Sequence, residues 1–447
     1  MNKTKKVFII LVILLLASAG AVYWYMFFYG PGNTLPTEPT SGTFPVGGFS
    51  PIGGNNSTSS TNTNGFTTIP TDQTTEPNLA STTQDTTKTP GLRLLSDTPV
   101  GGYGASTTAS TTVVRWVDRG RGNVYEAKMD SVEINTLSNT ILPKVYESFW
   151  NKNLTSFIGT TLQNNDVLKF VYAQLVVQAT STAKQNAANA TNTEPVANGE
   201  QNITPYSLKG KNLPENILDY AISPKGDKLF MYTKELGQGA GYISNLDGTS
   251  LTKIFVSPLT QITVEWPEEN TIAINTKGSA TQNGFLYFVN TKTGIWKKVL
   301  GPITGLSTKV SRDAKYILAS GTGKNGGIVT NIYTVGTTTP KSATVKTLAD
   351  KCVWGNFYKE IVYCAEPTEY ASGTYPDDWY KGIISLSDRI WQINAKNMTI
   401  DSVTPVYDEA DRLIDAFNMS LDAKDSYLFF QNKRDLSFWS FDLSKSH

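Results

Sequence analysis

Side-chain chemistry needs a nucleophile, a base, a metal or a pair of carboxylates, and this chain of 447 residues is poor in the first three. Its one histidine is His447, the last residue, and its two cysteines are Cys352 and Cys364. A Ser-His-Asp or Cys-His relay needs an imidazole held in place by packing, which a terminal residue lacks. Two thiols exclude both a four-thiolate zinc site and a disulfide-rich scaffold. Carboxylates remain in Asp377-Asp378 and in Asp408-Glu409 with Asp411. They could form a glycosidase-like pair, although adjacent acids on loops also read as solvated turn residues. The stretch Gly321-Thr322-Gly323-Lys324-Asn325-Gly326-Gly327 has the glycines of a phosphate loop. It lacks the spacing, the Ser or Thr after the lysine and the following helix, so it reads as a hairpin loop. No catalytic residue, metal site or cofactor is expected, and binding is the remaining chemistry.

The element that must position any binding group is a repeat. Prolines at 214, 258 and 302 stand about 44 residues apart. Between them the chain reads as strand, tight turn and strand at Ile222-Ser223-Pro224-Lys225-Gly226-Asp227-Lys228-Leu229, then a third strand through Gly241 and Ile243, then a fourth from Thr252 to Val256. Four short antiparallel strands per period make one blade of a β-propeller. Pro99, Pro143 and Pro405 extend the ruler, with one junction near Lys351 lacking its proline. The predicted fold is all-β: a seven-bladed propeller over 91–447. Two insertions lengthen it, a polar one at 178–202 and an aromatic one at 365–381.

Upstream of the propeller, residues 7–28 carry no charge and are long enough to cross a bilayer as a helix. Tyr23, Trp24, Tyr25 and Tyr29 suit an aromatic belt. Residues 1–30 therefore read as a cytoplasmic stub and a transmembrane anchor, with a cleaved signal peptide ending near Ala17-Ser18-Ala19 as the competing reading. Lys3, Lys5 and Lys6 precede the span and no basic residue follows it until Lys88, which predicts an extracytoplasmic propeller. Residues 31–90, rich in Ser, Thr, Pro and Gly, read as a disordered tether. Its reach as a flexible coil is on the order of 40 Å.

The five-residue stretch from Leu92 to Ser96 looks like an outer strand without a blade, while the chain from Leu413 to Leu443 supplies only three strands. Together they complete one blade, so the N-terminal strand is expected to close the ring and remove an open edge. Cys352 and Cys364 fall on the first two strands of the sixth blade and can face each other. A disulfide is expected in an oxidising location, with two buried free thiols as the alternative.

The turn Ser223-Pro224-Lys225-Gly226-Asp227-Lys228 resembles the repeat of TolB-like and dipeptidyl-peptidase-IV-like propellers, often described as WD40-like. Ser311-Arg312-Asp313-Ala314-Lys315 and Ser420-Leu421-Asp422-Ala423-Lys424 are weaker copies, and no blade has the Gly-His and Trp-Asp pair of true WD40 repeats. The resemblance covers residues 91–443 and implies a fold. Such propellers serve as binding platforms or as accessory domains of peptidases, and anchor, tether and solitary propeller together look like bacterial envelope proteins.

Two binding features follow from the strand assignment. Loops joining second to third strands share one face of the ring and carry Arg119, Arg121, Lys234, Lys277, Lys324, Lys433 and Arg434, a basic rim suited to an anionic polymer or acidic protein surface. On the same face the insertion at 365–381 holds Tyr375, Asp377, Asp378 and Trp379, an apolar platform flanked by acceptors that suits a sugar ring or basic peptide. The competing readings are ordinary exposed lysines and arginines, and aromatics that merely cover a blade edge. Lys plus Arg number 39 against 38 acids, for a formal charge of +1, so nothing in the overall charge favours nucleic acid. The expected function is a membrane-tethered binding or scaffold module for a protein or envelope polymer. A propeller hydrolase or lyase using loop carboxylates, or a purely structural envelope component, is the alternative.

Overall fold

The computed structural model describes residues 90–162, 167–178, 205–323, 326–404 and 410–445. The membrane helix expected over 7–28 and the tether expected over 31–90 lie outside them, residue 90 excepted, as do Lys324, Asp408, Glu409, His447 and most of the insertion at 178–202.

The described chain builds seven four-stranded antiparallel sheets. Its first strand is β1 (Leu92–Ser96). Blade 1 follows with β2 (Val100–Thr107), β3 (Thr112–Asp118), β4 (Val124–Lys128) and β5 (Ile134–Ser138). Blade 2 holds β6 (Val145–Trp150), β7 (Ser156–Leu162), β8 (Leu168–Val177) and β9 (Tyr206–Asn212). Blade 3 holds β10 (Ile217–Ile222), β11 (Lys228–Glu235), β12 (Gln238–Asn245) and β13 (Thr252–Ser257). Blade 4 holds β14 (Ile262–Glu268), β15 (Thr271–Thr276), β16 (Asn283–Asn290) and β17 (Trp296–Thr304). In blade 5 come β18 (Ser307–Val310), β19 (Tyr316–Thr322), β20 (Ile328–Thr334) and the two-residue β21 (Lys341–Ser342). Blade 6 has β22 (Cys352–Trp354), β23 (Ile361–Pro367), β24 (Asp388–Asn394) and β25 (Ile400–Thr404), and blade 7 has β26 (Ala416–Leu421), β27 (Tyr427–Asn432) and β28 (Phe438–Asp442). The fourth strand of blade 7 is β1, which pairs antiparallel with β28. This is the seven-bladed propeller closed by its N-terminal strand that the repeat implied.

Second strands carry apolar stretches, unbroken in blades 3 and 7, because each is covered on both sides by neighbouring blades. Leu229, Phe230, Met231 and Tyr232 are fully buried, as are Leu428, Phe429 and Phe430. One hydrophobic cluster fills each junction between adjacent blades. The cluster at the closing junction joins Leu95 of β1, Phe429 and Phe438 of blade 7, and Val100, Tyr103 and Trp116 of blade 1.

A side chain closes the turn between first and second strands. Ser223 Oγ accepts from the Asp227 and Lys228 amides, and Ser311 Oγ accepts from those of Lys315 and Tyr316. Asp422 Oδ1 does the same for Ser426 and Tyr427, so Asp422, and not Ser420, is the counterpart of Ser223. Ser420 sits within β26 instead. Asn151 Oδ1 caps Thr155 and Ser156 in a fourth copy that no serine marks. The fourth residue of the turn has a positive φ in each copy, at Leu154, Gly226, Ala314 and Asp425, a conformation most easily met by glycine.

Cys352 stands opposite Cys364 in the β22–β23 ladder, and a disulfide joins them with their Cα atoms 4.1 Å apart. Both are buried in the junction between blades 5 and 6. The aromatic insertion is displaced relative to its expected span. Ala365 is fully buried and pairs with Ile390, and β23 continues to Pro367, so the connection runs over 368–387.

Candidate binding face and axial cluster

The connection 368–387 folds down onto the ring, so the apolar platform expected at Trp379 is not offered to solvent. Trp379 is 3% exposed and Tyr375 4%. They pack with Ile328, Leu348, Ile384 and Leu386, burying large apolar area that open water would penalise. Both acids are occupied as well. Asp377 Oδ2 accepts from the Ala280 amide at 2.7 Å and Oδ1 from Ser279 Oγ at 3.1 Å, tying the loop to blade 4. Asp378 accepts from the Thr374 amide at 2.7 Å, inside the loop. Thr322 of blade 5 donates to the Tyr375 carbonyl, Tyr380 donates to Asp350 at 2.8 Å, and Tyr370 donates to the Lys346 carbonyl. Burial and the neighbouring Asp350 hold the Tyr380 hydroxyl firmly protonated. The four residues picked from the sequence are therefore the loop's fastenings. Among the groups it shows to solvent are Glu369, Tyr370, Lys381 and Ile383, the last 67% exposed.

Beneath the loop lies a fully buried ion cluster. Lys351 Nζ donates to Asp388 Oδ2 at 2.8 Å, to the Ala416 carbonyl at 3.0 Å and to Asp415 Oδ1. Asp415 also accepts from Trp379 Nε1 and from the Leu386 amide. Burial pushes the Asp388 carboxyl up to about 6, against the pull of Lys351. Two ammonium groups lie against the Trp379 ring, Lys351 Nζ 5.3 Å and Lys433 Nζ 5.1 Å from its centroid.

The basic rim is present but partly committed. Arg119 lies over the Tyr146 ring at 4.3 Å, Arg434 donates to the Leu386 carbonyl, and Lys433 is half-buried against Trp379. Arg121, Lys234 and Lys277 are exposed. Lys324 lies outside the described residues.

A cluster that the sequence reading missed lies on the inner strands. Asp219 of β10 accepts from the Val264 amide of β14 at 2.8 Å, and Glu265 of β14 accepts from the Val310 amide of β18 at 3.1 Å. Inner strands have a free edge of unpaired amides, and each acid satisfies one on the next blade. Glu265 also pairs with Lys309 at 3.0 Å. Burial and the nearby Glu147 push the Asp219 carboxyl up to about 7 despite its backbone hydrogen bonds; Glu147 is raised as well by the surrounding protein, against the pull of Arg119, although its side chain stays open to solvent on β6. The signal was an acid inside an apolar inner strand, Leu218-Asp219-Tyr220 and Val264-Glu265-Trp266, one repeat apart.

No family model and no curated protein matches this chain. Solved structures do. TolB from Acinetobacter baumannii is 10% identical with a TM-score of 0.37 over 73% of this chain, which spans 61% of the TolB chain. Oligogalacturonate lyase from Vibrio parahaemolyticus is 10% identical, with a TM-score of 0.45 over 74% of this chain and 86% of its own. The β-propeller domain of the Trilobed protease from Pyrococcus furiosus is 11% identical, with a TM-score of 0.43 over 76% and 94%. The likeness is one of fold alone.

Proposed function

We propose that this chain is a membrane-tethered extracytoplasmic propeller that docks a protein or an envelope polymer on the face built by its second-to-third-strand loops. The carrying observation is the connection 368–387, fastened to blades 4, 5 and 7 by Asp377, Thr322 and Arg434. A loop held at so many points presents its exposed groups without an ordering cost at binding. Two of those groups, Lys381 and Ile383, flank Gly382 beside Lys433 and near Leu413, which is 53% exposed. An apolar centre with basic neighbours suits a partner that is itself apolar and acidic. The lysines before residues 7–28 and the Cys352–Cys364 bond both support an oxidising, extracytoplasmic setting.

A photocrosslinking side chain at position 383, in intact cells, should capture a partner that the same probe at position 357, on the opposite face, does not. Equal capture at both positions would remove the assignment of the face.

Glu147 and Asp219 support a second reading, because both carboxyls are raised and they sit on adjacent inner strands. A general acid near neutrality on the ring axis is what a hydrolase or lyase would use. Asp219→Asn with unchanged partner capture would separate the two readings.

A further inference from the structure

Lys351, Asp388 and Asp415 are each 0% exposed, so one ammonium and two carboxylates are held out of water, with the half-buried Lys433 ammonium near the same Trp379 ring. Asp388 Oδ1 is buried with no hydrogen-bond partner among the described residues. Buried charge is costly even when paired, and an unpartnered carboxylate oxygen more so. Condensation of the amine with one acid would remove two of the charges at once.

We propose that Lys351 and Asp415 join through an intramolecular isopeptide bond, with Asp388 as the catalytic proton carrier. The Nζ of Lys351 already touches an oxygen of each acid. Asp388 takes a proton from the Lys351 ammonium and passes it to Asp415, and the freed amine lone pair attacks Cγ of Asp415. The oxygen that gains negative charge is held by Trp379 Nε1 and the Leu386 amide, 3.1 and 2.9 Å from Asp415 Oδ2. Asp388 removes the second proton from nitrogen and delivers it to the departing hydroxyl. The Cγ–O bond breaks, the Nζ–Cγ bond forms and one water leaves, so ammonium and carboxylate become a neutral amide with no other reactant. A carboxyl raised to about 6 suits that traffic near neutrality. Trp379, 3% exposed, closes the site over the Lys351 amine and excludes the water that would reverse the reaction. The bond would tie the turn leading into β22 to the residue before β26, joining blades 6 and 7 beside the disulfide.

Peptide mass analysis of the reduced, purified full chain decides the matter. The expected result is that trypsin no longer cuts after Lys351, and that the peptides containing Lys351 and Asp415 emerge as one branched species lighter than their sum by one water. Separate, unmodified peptides from folded wild-type protein would overturn the proposal, whatever the variants do. In Lys351→Arg the branched species should be absent. Asp415→Asn should give a product of the same mass as wild type, because ammonia leaves in place of water; a folded Asp415→Asn chain without it would contradict the route. A folded Asp388→Asn variant should be uncoupled, and full coupling there would contradict the role of Asp388.

Discussion

Leu94 pairs with Trp439 across the β1–β28 ladder, so the first described strand supplies the edge that the last blade lacks. Leu92 and Leu95 on either side are 8% and 3% exposed and enter the two junctions that flank blade 7. Deleting residues 92–96 removes two buried leucines, each worth about 2–5 kcal/mol, and bares an unpaired strand edge. The expected outcome is aggregation or a large fall in melting temperature. Deleting residues 35–85 should leave the unfolding of the propeller unchanged. Calorimetry of the two deletions checks this, and similar behaviour would contradict the closure.

Trp379→Ala should destabilise the protein by about 3–5 kcal/mol, the usual cost of emptying a large buried aromatic site. It also removes a donor from the buried Asp415. Chemical denaturation gives the figure. An unchanged stability would return the indole to the surface and with it the platform expected from the sequence.

The Asp219 carboxyl stands at about 7 against an ordinary 3.8. Between those values the folded state keeps a proton that the unfolded chain has lost, so stability falls as pH rises through that window and levels off above it. Glu147 and Lys309 are the charged groups that act on it most closely. Asp219→Asn cannot lose a proton there. Melting temperatures of wild type minus variant should therefore decline from pH about 4 to about 7, and a flat or rising difference would contradict the raised carboxyl.

Much of the fold was legible because propeller blades repeat local signals. Prolines in or just after the outer strands and apolar stretches in the second strands recur with roughly the period of one blade. The closing strand was legible for the same reason, since a strand without a blade and a blade without a strand both stood out. The turn copies were harder, because Asn151, Ser223, Ser311 and Asp422 perform one task with three residue types. At the candidate site the residue types were visible but their direction was not. Tyr375, Asp377, Asp378 and Trp379 have the composition of a binding loop, and only the packing shows that all four face inward or toward neighbouring backbone. The ion cluster was beyond reach, since Lys351, Asp388 and Asp415 meet through three separate chain segments.

Affinity for isolated envelope material tests the proposed docking face most directly. Ile383→Asp and Lys381→Glu change exposed groups on that face, and Phe357→Asp changes one, 64% exposed, on the opposite face. All three should keep the wild-type melting temperature. The face variants should bind at least about tenfold more weakly, the loss of roughly 1.4 kcal/mol expected when a central contact is replaced by a repulsive one, while Phe357→Asp should bind as wild type. Undiminished binding by both face variants, or a loss confined to Phe357→Asp, would contradict the assignment.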